Sequence, residues 1–246
     1  MQLNLDYSLC EGYKSNTQKM RVVTEKWVEQ NMFCPICGRP HLHHYTANKP
    51  VADFCCEDCH NDFELKSKNQ VALGKVINDG AYDTMMERLN DLHNPNFLFM
   101  THTDEYVRNF ILIPNHFFTP EIIIKRKPLS DKARRAGWVG CNINIADIPQ
   151  SGKIYIVKDG VEIDRNKVID DYARIRSLAT NSLTSRGWML DVLSCVERVK
   201  DDVFTLKEMY DFCDELQEKH RDNAHVKDKI RQQLQFLRNK GLVEFL

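Results

Sequence analysis

Residues 50–66 read Pro50-Val-Ala-Asp53-Phe-Cys-Cys56-Glu-Asp-Cys59-His-Asn-Asp-Phe-Glu64-Leu-Lys66, so that one carboxylate precedes a Glu-x-Lys. Side chains alternate between the two faces of a β-strand, and Glu64 and Lys66 are therefore expected on the same face, with Leu65 buried behind them. Asp53, on a paired strand, would complete a small acidic site. Two carboxylates can hold Mg²⁺ and still leave coordination positions for water and a phosphate oxygen. The stretch predicts a metal-dependent phosphodiesterase in which Lys66 orients the attacking water or helps to deprotonate it.

Two Cys-x-x-Cys pairs bracket this aspartate, namely Cys34-Pro-Ile-Cys37 and Cys56-Glu-Asp-Cys59. Each pair forms a tight turn that directs two sulfurs to one point, and four thiolates close a tetrahedral Zn²⁺ site. Because four cysteines leave no open coordination position, the zinc is predicted to be structural. From the sequence, alternative zinc ligands in place of one of these cysteines are Cys55, His41, His43 and His44.

Length and composition are those of a soluble two-domain protein. The chain has 246 residues, 42% of them hydrophobic, which suits one domain of about 180 residues and one of about 65. It has no apolar run of about 18 residues, so no membrane span is expected. A signal peptide is not predicted either, because the N-terminus lacks a basic segment followed by an apolar one. Nine cysteines, five of them between residues 34 and 59, indicate metal binding in a reducing cytoplasm rather than a disulfide framework.

Basic residues cluster in two segments, although the net charge is only −1. The first segment is Lys125, Arg126, Lys127, Lys132, Arg134 and Arg135, and the second is Lys219, Arg221, Lys227, Lys229, Arg231, Arg238 and Lys240. Two such segments in a nearly neutral protein suit two contacts with a phosphate backbone. For either segment alone, a solvated charged face is the alternative.

Apolar spacing predicts the elements of the larger domain. Helices are expected over 16–32 and 80–92, and buried strands over 96–101, 109–114 and 153–158. Together with the two strands of the acidic cluster, they indicate an α/β sandwich around a mixed sheet. The polar stretch 180–187 lacks periodicity, so domains are expected at 1–180 and 181–246.

Three helical patterns follow that boundary and indicate a winged helix-turn-helix. The first covers 188–199. Thr205-Leu-Lys-Glu208 is a capping box that opens the second, whose buried stripe is expected to carry Leu206, Met209, Tyr210 and Cys213. Gly241 ends the third after His225–Asn239. A strand is expected at Leu242–Phe245. The polar face of the third helix carries His225, Asp228, Arg231, Gln232, Gln235 and Asn239. Gln232 and Gln235 can read the N6 and N7 edge of adenine; a merely solvated face is the alternative.

Several longer segments are more specific than these short motifs. They are Pro50-Val-Ala-Asp-Phe54, Phe63-Glu-Leu-Lys-Ser-Lys68, Ile77-Asn-Asp-Gly-Ala-Tyr82, Arg126-Lys-Pro-Leu129, Ala133-Arg-Arg-Ala-Gly-Trp138, Gly140-Cys-Asn-Ile143, Ser185-Arg-Gly-Trp188 and Lys229-Ile-Arg-Gln-Gln-Leu234. Through them the chain resembles the DpnI family of methyl-directed type II restriction endonucleases over nearly its full length. The resemblance implies a PD-(D/E)xK nuclease domain with an inserted zinc site, then a winged helix. It also implies Mg²⁺-dependent cleavage of double-stranded DNA at GATC containing N6-methyladenine, with both domains contacting the DNA.

Carried over by position, the resemblance implies Asp53 and Glu64 as Mg²⁺ ligands and Lys66 as the residue that assists the water. It implies Zn²⁺ ligation by Cys34, Cys37, Cys56 and Cys59. Trp138 resembles a base-reading residue and could form an apolar wall for the methyl group, a core tryptophan being the alternative. The residues expected to contact DNA are Arg126, Arg134, Arg135, Trp138, His225, Arg231, Gln232 and Gln235.

The protein is expected to be a monomer in solution. The resemblance also implies a basic tail beyond the wing, which is not present after Leu246, so weaker backbone contacts are expected there. Two other functions remain open. A DNA-binding regulator would have an inactive nuclease fold, and the intact Asp53, Glu64 and Lys66 argue against it. A structure- or damage-directed nuclease could use the same three residues.

Overall fold

A computed structural model describes residues 1–45, 52–89, 94–180 and 182–246. Within these ranges a mixed α/β part precedes a part built only of helices. The Pro50-Val51 start of the acidic motif, residues 90–92 of the second expected helix and residue 181 at the expected boundary lie outside them. No helix in the described ranges has both the length and the apolarity to cross a membrane.

The strands of the described residues form two sheets. They are β1 (His43–His44), β2 (Phe54–Cys55), β3 (Asp62–Asn69), β4 (Val76–Ala81), β5 (Asn96–His102), β6 (Val107–Ile113), β7 (Ile123–Lys125), β8 (Gly140–Asn144), β9 (Ile154–Lys158) and β10 (Val161–Glu162). The larger sheet has the order β1-β2-β3-β5-β6-β9-β10, and the smaller one β4-β8-β7. Strands β3 and β5 are parallel, and the other pairs are antiparallel. The mixed sheet expected from the apolar runs is confirmed.

Helix α1 (Asn16–Asn31) packs on the larger sheet, as the 16–32 pattern predicts. It buries Val23, Trp27 and Val28. The Trp27 ring meets Phe110 of β6 edge-on at 5.5 Å, and its indole N–H donates to the carbonyl of Gln2 at 2.8 Å. A buried tryptophan is thus packed on its apolar face and satisfied at its polar end.

The smaller sheet begins in the crossover between β3 and β5. Strand β4 and helix α2 (Tyr82–Leu89) occupy this crossover. The helix expected from residue 80 begins instead at Tyr82, because β4 extends to Ala81 through pairing with β8. The register shifts between Asp79 and Ala81, which places Gly80 in a bulge. A further helix, α3 (Arg165–Ile175), follows β10, and the carboxylate of Asp164 accepts from its first turn.

The C-terminal part contains α4 (Leu183–Arg198), α5 (Leu206–Tyr210), α6 (Cys213–Lys219) and α7 (Val226–Asn239). The capping box of Thr205 and Glu208 is confirmed. The second predicted helix is divided into α5 and α6 by Asp211 and Phe212. The strand predicted at Leu242–Phe245 is wrong. A strand needs a hydrogen-bonded neighbour, and among the described residues none lies beside this segment.

A partly buried ion-pair cluster connects α4 to α6. The Asp191 carboxylate pairs with the Lys219 ammonium at 2.7 Å and with Nε2 of His220 at 2.8 Å. The His220 ring stacks on Trp188 with centroids 3.9 Å apart. Burial opposes ionisation of Asp191, but the hydrogen bonds from His220 and Lys219 outweigh it, and the pKa of Asp191 lies below its usual value.

Helix α4 is attached to the α/β part at both ends. Near its start, the Arg186 guanidinium donates to the carbonyls of Phe118 at 3.1 Å and Thr180 at 2.9 Å. Near its end, the Glu197 carboxylate accepts from the backbone N–H groups of Gln150 at 2.5 Å and Ser151 at 3.0 Å. Hydrogen bonds that involve a charged group are stronger than neutral ones, so the two contacts fix the orientation of α4 on the α/β part.

Candidate functional site

Strand pairing brings the three predicted catalytic residues to one place. Glu64 and Lys66 lie on the same face of β3, with Oε1 of Glu64 2.6 Å from Nζ of Lys66. Asp53 directly precedes β2, and its backbone N–H donates to the carbonyl of Phe63 at 2.9 Å. The Oδ2 atom of Asp53 accepts from the backbone N–H of Leu65 at 2.7 Å. That bond places the Asp53 carboxylate beside the Glu64–Lys66 step of β3.

The ionisation of these groups follows from their burial and their neighbours. Burial raises the pKa of Asp53 above its usual value, because the anion loses water. Burial alone would lower the pKa of Lys66, but the carboxylates of Glu64 and Asp79 outweigh it and raise that pKa. A protonated Lys66 suits binding of an anionic phosphate. Carboxylate oxygens are ligands that Mg²⁺ prefers, so Asp53 and Glu64 fit this ion chemically.

Two charged residues of this cluster were missed from the sequence. Oδ1 of Asp79, on β4, lies 2.5 Å from Nζ of Lys66, and its side chain is 4% exposed. A guanidinium nitrogen of Arg88, on α2, lies 2.6 Å from Oε2 of Glu64. Neither residue belongs to a short motif with the other three. The sequence signal for Asp79 was that it lies in Ile77–Tyr82, one of the segments on which the resemblance to a known family rests.

Four cysteine sulfurs converge at one point. The Sγ atoms of Cys34, Cys37, Cys56 and Cys59 all lie within 4.8 Å of one another. Cys34 and Cys59 are 3.6 Å apart, and Cys37 and Cys56 are 3.5 Å apart. Four thiolates at such distances fit a tetrahedral Zn²⁺ ion. The other ligands that the sequence left open, Cys55, His41, His43 and His44, are outside this cluster.

The backbone around the cysteines has the form that the spacing predicts. The N–H of Gly38 donates to the carbonyl of Cys34, and the N–H of His60 donates to that of Cys56, each at 2.9 Å. Gly38 has φ of +80°, a value that glycine adopts without strain. The side-chain amide of Asn61 donates to Sγ of Cys59 at 3.4 Å. Since the two pairs lie on either side of Asp53 in the chain, a bound metal would anchor the segment that carries this carboxylate.

The basic segment 125–135 belongs to the connection between β7 and β8, and Trp138 lies at its end. Arg126, Arg134 and Arg135 are exposed there, and Trp138 is half-buried. The Arg135 guanidinium lies over the Trp138 ring, 4.4 Å from its centroid. The N–H of Leu129 donates to the carbonyl of Trp138 at 2.9 Å, which closes the connection. Trp138 is therefore a surface residue in a basic segment rather than a core tryptophan.

Helix α7 buries the apolar stripe that the sequence predicts, including Ile230, Leu234 and Leu237. The opposite face exposes His225, Arg231 and Gln232, whereas Gln235 is half-buried. Arg231 and Gln235 line a cleft of about 740 Å³ that also contains Phe245. The structure therefore presents these four predicted DNA contacts along one helix, with Gln235 closest to the core.

Comparison with protein families covers both parts of the chain. Residues 1–181 match the Dam-replacing family represented by DpnI, and residues 184–246 match the Dam-replacing HTH domain. The chain belongs to the DpnI family. Membership confirms the resemblance and the fold class, a mixed α/β nuclease domain with a four-cysteine cluster followed by a helix-turn-helix domain. A DpnI-family chain is a restriction endonuclease, and its helix-turn-helix domain identifies DNA as the partner.

Proposed function

We propose that this DpnI-family protein is a Mg²⁺-dependent endonuclease that hydrolyses double-stranded DNA at GATC containing N6-methyladenine. Residues 1–180 would form the nuclease domain, and residues 181–246 a second DNA-binding domain. The observation that supports this proposal most directly is the position of Asp53, directly before β2, beside Glu64 and Lys66 of the paired strand β3. The alternative of a surface glutamate and lysine does not account for the buried ion pairs of this cluster.

Each residue of the trio has a role that follows from its chemistry. Asp53 and Glu64 would hold Mg²⁺, which, when bound, lowers the pKa of its water and offsets charge on the attacked phosphate. The Lys66 ammonium can donate hydrogen bonds to the attacking oxygen or to a phosphate oxygen. The pairing of this ammonium with Glu64 and Asp79 holds it at the site of the proposed metal ion, where it can orient the water.

Methyl dependence requires an apolar contact in the major groove. N6-methylation of adenine removes one hydrogen-bond donor and adds a methyl group, which an aromatic ring can cover. Trp138 is the residue of the 125–138 segment with this chemistry, and Arg126, Arg134 and Arg135 around it can bind phosphates. On α7, the amides of Gln232 and Gln235 can bond to the adenine edge, and Arg231 and His225 can contact the backbone.

The decisive test uses one plasmid prepared with and without adenine methylation at GATC. Zinc-loaded protein is incubated with each plasmid in Mg²⁺ and in Ca²⁺, since a strong chelator would also remove zinc. Cleavage only of the methylated plasmid in Mg²⁺ supports the proposal. Equal cleavage of both plasmids would overturn the methyl specificity and favour a structure- or damage-directed nuclease. Binding without cleavage under all conditions would favour a DNA-binding regulator.

Variants assign the chemistry to the trio. Asp53→Ala and Lys66→Ala should abolish cleavage in Mg²⁺ and retain both zinc and binding of methylated DNA in Ca²⁺. Lys68→Ala is the matched control, because Lys68 is an exposed residue two positions further along β3. Full cleavage by either trio variant would refute the assignment.

A further inference from the structure

The small β4-β8-β7 sheet connects the predicted catalytic residues of β3 to the segment that ends at Trp138. Its strand β4 carries Asp79, and the following helix α2 carries Arg88. Both residues point out of this unit to the larger sheet, where Asp79 pairs with Lys66 and Arg88 with Glu64. Two of the three predicted catalytic side chains are therefore held by charged groups from outside their own sheet.

The same unit carries the segment that ends at Trp138. Strands β7 and β8 flank this segment, and Asp79 is the cross-strand partner of Cys141 on β8. The backbone N–H of Tyr82, at the start of α2, donates to the carbonyl of Val139 at 3.1 Å. Lys125 lies over the Tyr82 ring, 4.8 Å from its centroid. The segment is thus bonded on both sides to the elements that carry Asp79 and Arg88.

The environment of Asp79 makes its pairing with Lys66 specific. Its side chain is almost fully buried, so little solvent is available to replace the lysine. The neighbouring Cys141 is fully buried, and burial raises the pKa of its thiol to about 11, which leaves it uncharged at neutral pH. A buried carboxylate without a cation is costly. The position of the Lys66 ammonium therefore depends on where the bulged end of β4 places Asp79.

We propose that Asp79 and Arg88 are positioning residues that connect the Trp138 segment to Lys66 and Glu64. Contact of Trp138 with a methylated base would then be transmitted through β8 and β4 to the catalytic lysine. This inference rests on the proposed function, because it assumes that Lys66 takes part in cleavage and that Trp138 contacts the base.

The test compares Asp79→Asn with wild type in single-turnover cleavage of a methylated duplex in Mg²⁺, and in equilibrium binding of that duplex in Ca²⁺. Asparagine keeps the shape and removes the charge. A misplaced catalytic group can cost about 100-fold in rate, so we expect a loss of that order with DNA binding unchanged. Thermal stability should stay close to that of wild type, because Lys66 keeps Glu64 as its partner and no carboxylate is left without a cation. Asp83→Asn is the matched control, because Asp83 is an exposed aspartate four residues further along the chain. This variant should cleave at the wild-type rate.

A double-mutant cycle with Trp138→Ala tests the connection itself. If Asp79 and Trp138 act through one unit, the fold loss in cleavage rate of the double variant should be smaller than the product of the fold losses of the two single variants. Losses that multiply would overturn the connection. The positioning role would be overturned if Asp79→Asn cleaved at the wild-type rate. It would also be overturned if the loss of cleavage rate were matched by equal losses of DNA binding and thermal stability. Absence of Mg²⁺-dependent cleavage by wild type would instead refute the proposed function.

Discussion

Replacing Lys66 with methionine should destabilise the nuclease domain as well as inactivate it. Methionine keeps most of the side-chain length and its packing but removes the ammonium. In the wild type, that ammonium lies 2.6 Å from Glu64 and 2.5 Å from Asp79, whose side chains are 12% and 4% exposed. The variant would therefore leave two largely buried carboxylates facing each other, with Arg88 still neutralising only Glu64.

The size of the effect follows from this geometry. Removing one partner of a buried ion pair costs about 3–5 kcal/mol. Because Lys66 is 24% exposed and Arg88 remains, the lower end applies, which is about 3 kcal/mol of unfolding free energy. For a domain of this size, that loss corresponds to a fall in melting temperature of roughly 6–12 °C.

Thermal unfolding of zinc-loaded protein, followed by near-UV circular dichroism, measures this fall. Lys68→Met is the control, because substitution of an exposed residue on the same strand should stay within about 0.5 kcal/mol of wild type. A Lys66→Met variant that melts at the same temperature as Lys68→Met would refute the argument, since the carboxylates would then not depend on the lysine.

Three further predictions concern other parts of the molecule. Cys59→Ser should lose stoichiometric zinc, measured by metal analysis of the purified protein, whereas Cys55→Ser should retain it; zinc retained by both would exclude the cluster as the binding site. Trp138→Ala should lose the preference for methylated over unmethylated duplex in cleavage assays, and a preference equal to that of wild type would place the methyl contact elsewhere. The pKa of Asp191 is depressed in the folded state, so its contribution to stability is present above the unfolded pKa of about 3.9 and lost as the pH falls through the folded pKa. Asp191→Asn, which weakens the contact with His220, should therefore reduce the free energy of unfolding at pH 7 and have less effect below about pH 4; an equal effect at both pH values would contradict this.

Local patterns predict those parts of the site that depend on strand geometry and spacing. Side-chain alternation is sufficient to place Glu64 and Lys66 on one face, and the two Cys-x-x-Cys pairs are sufficient to predict a common ligand cluster. Asp79 and Arg88 could not be predicted in this way, because their contacts depend on a second sheet folding against the first. A single aspartate in a short strand has no local property that identifies it.

The errors in the C-terminal part have a similar origin. The apolar spacing of Met209 and Cys213 fits a continuous helix, but periodicity does not report the break at Asp211 and Phe212. The apolar run Leu242–Phe245 has strand composition, but strand formation depends on a neighbouring strand rather than on composition.

The attachment of α4 has a consequence for sequence divergence. Among the described residues, the hydrogen bonds of the Arg186 and Glu197 side chains to the α/β part go to main-chain carbonyl and N–H groups. Every amino acid has a carbonyl, and every one except proline has the N–H, so Phe118 and Thr180 can be exchanged freely as far as these bonds are concerned. Gln150 and Ser151 can accept any residue but proline. Substitutions at these four positions on the nuclease side would thus leave the hydrogen bonds to α4 intact, whereas substitutions of Arg186 or Glu197 would remove them.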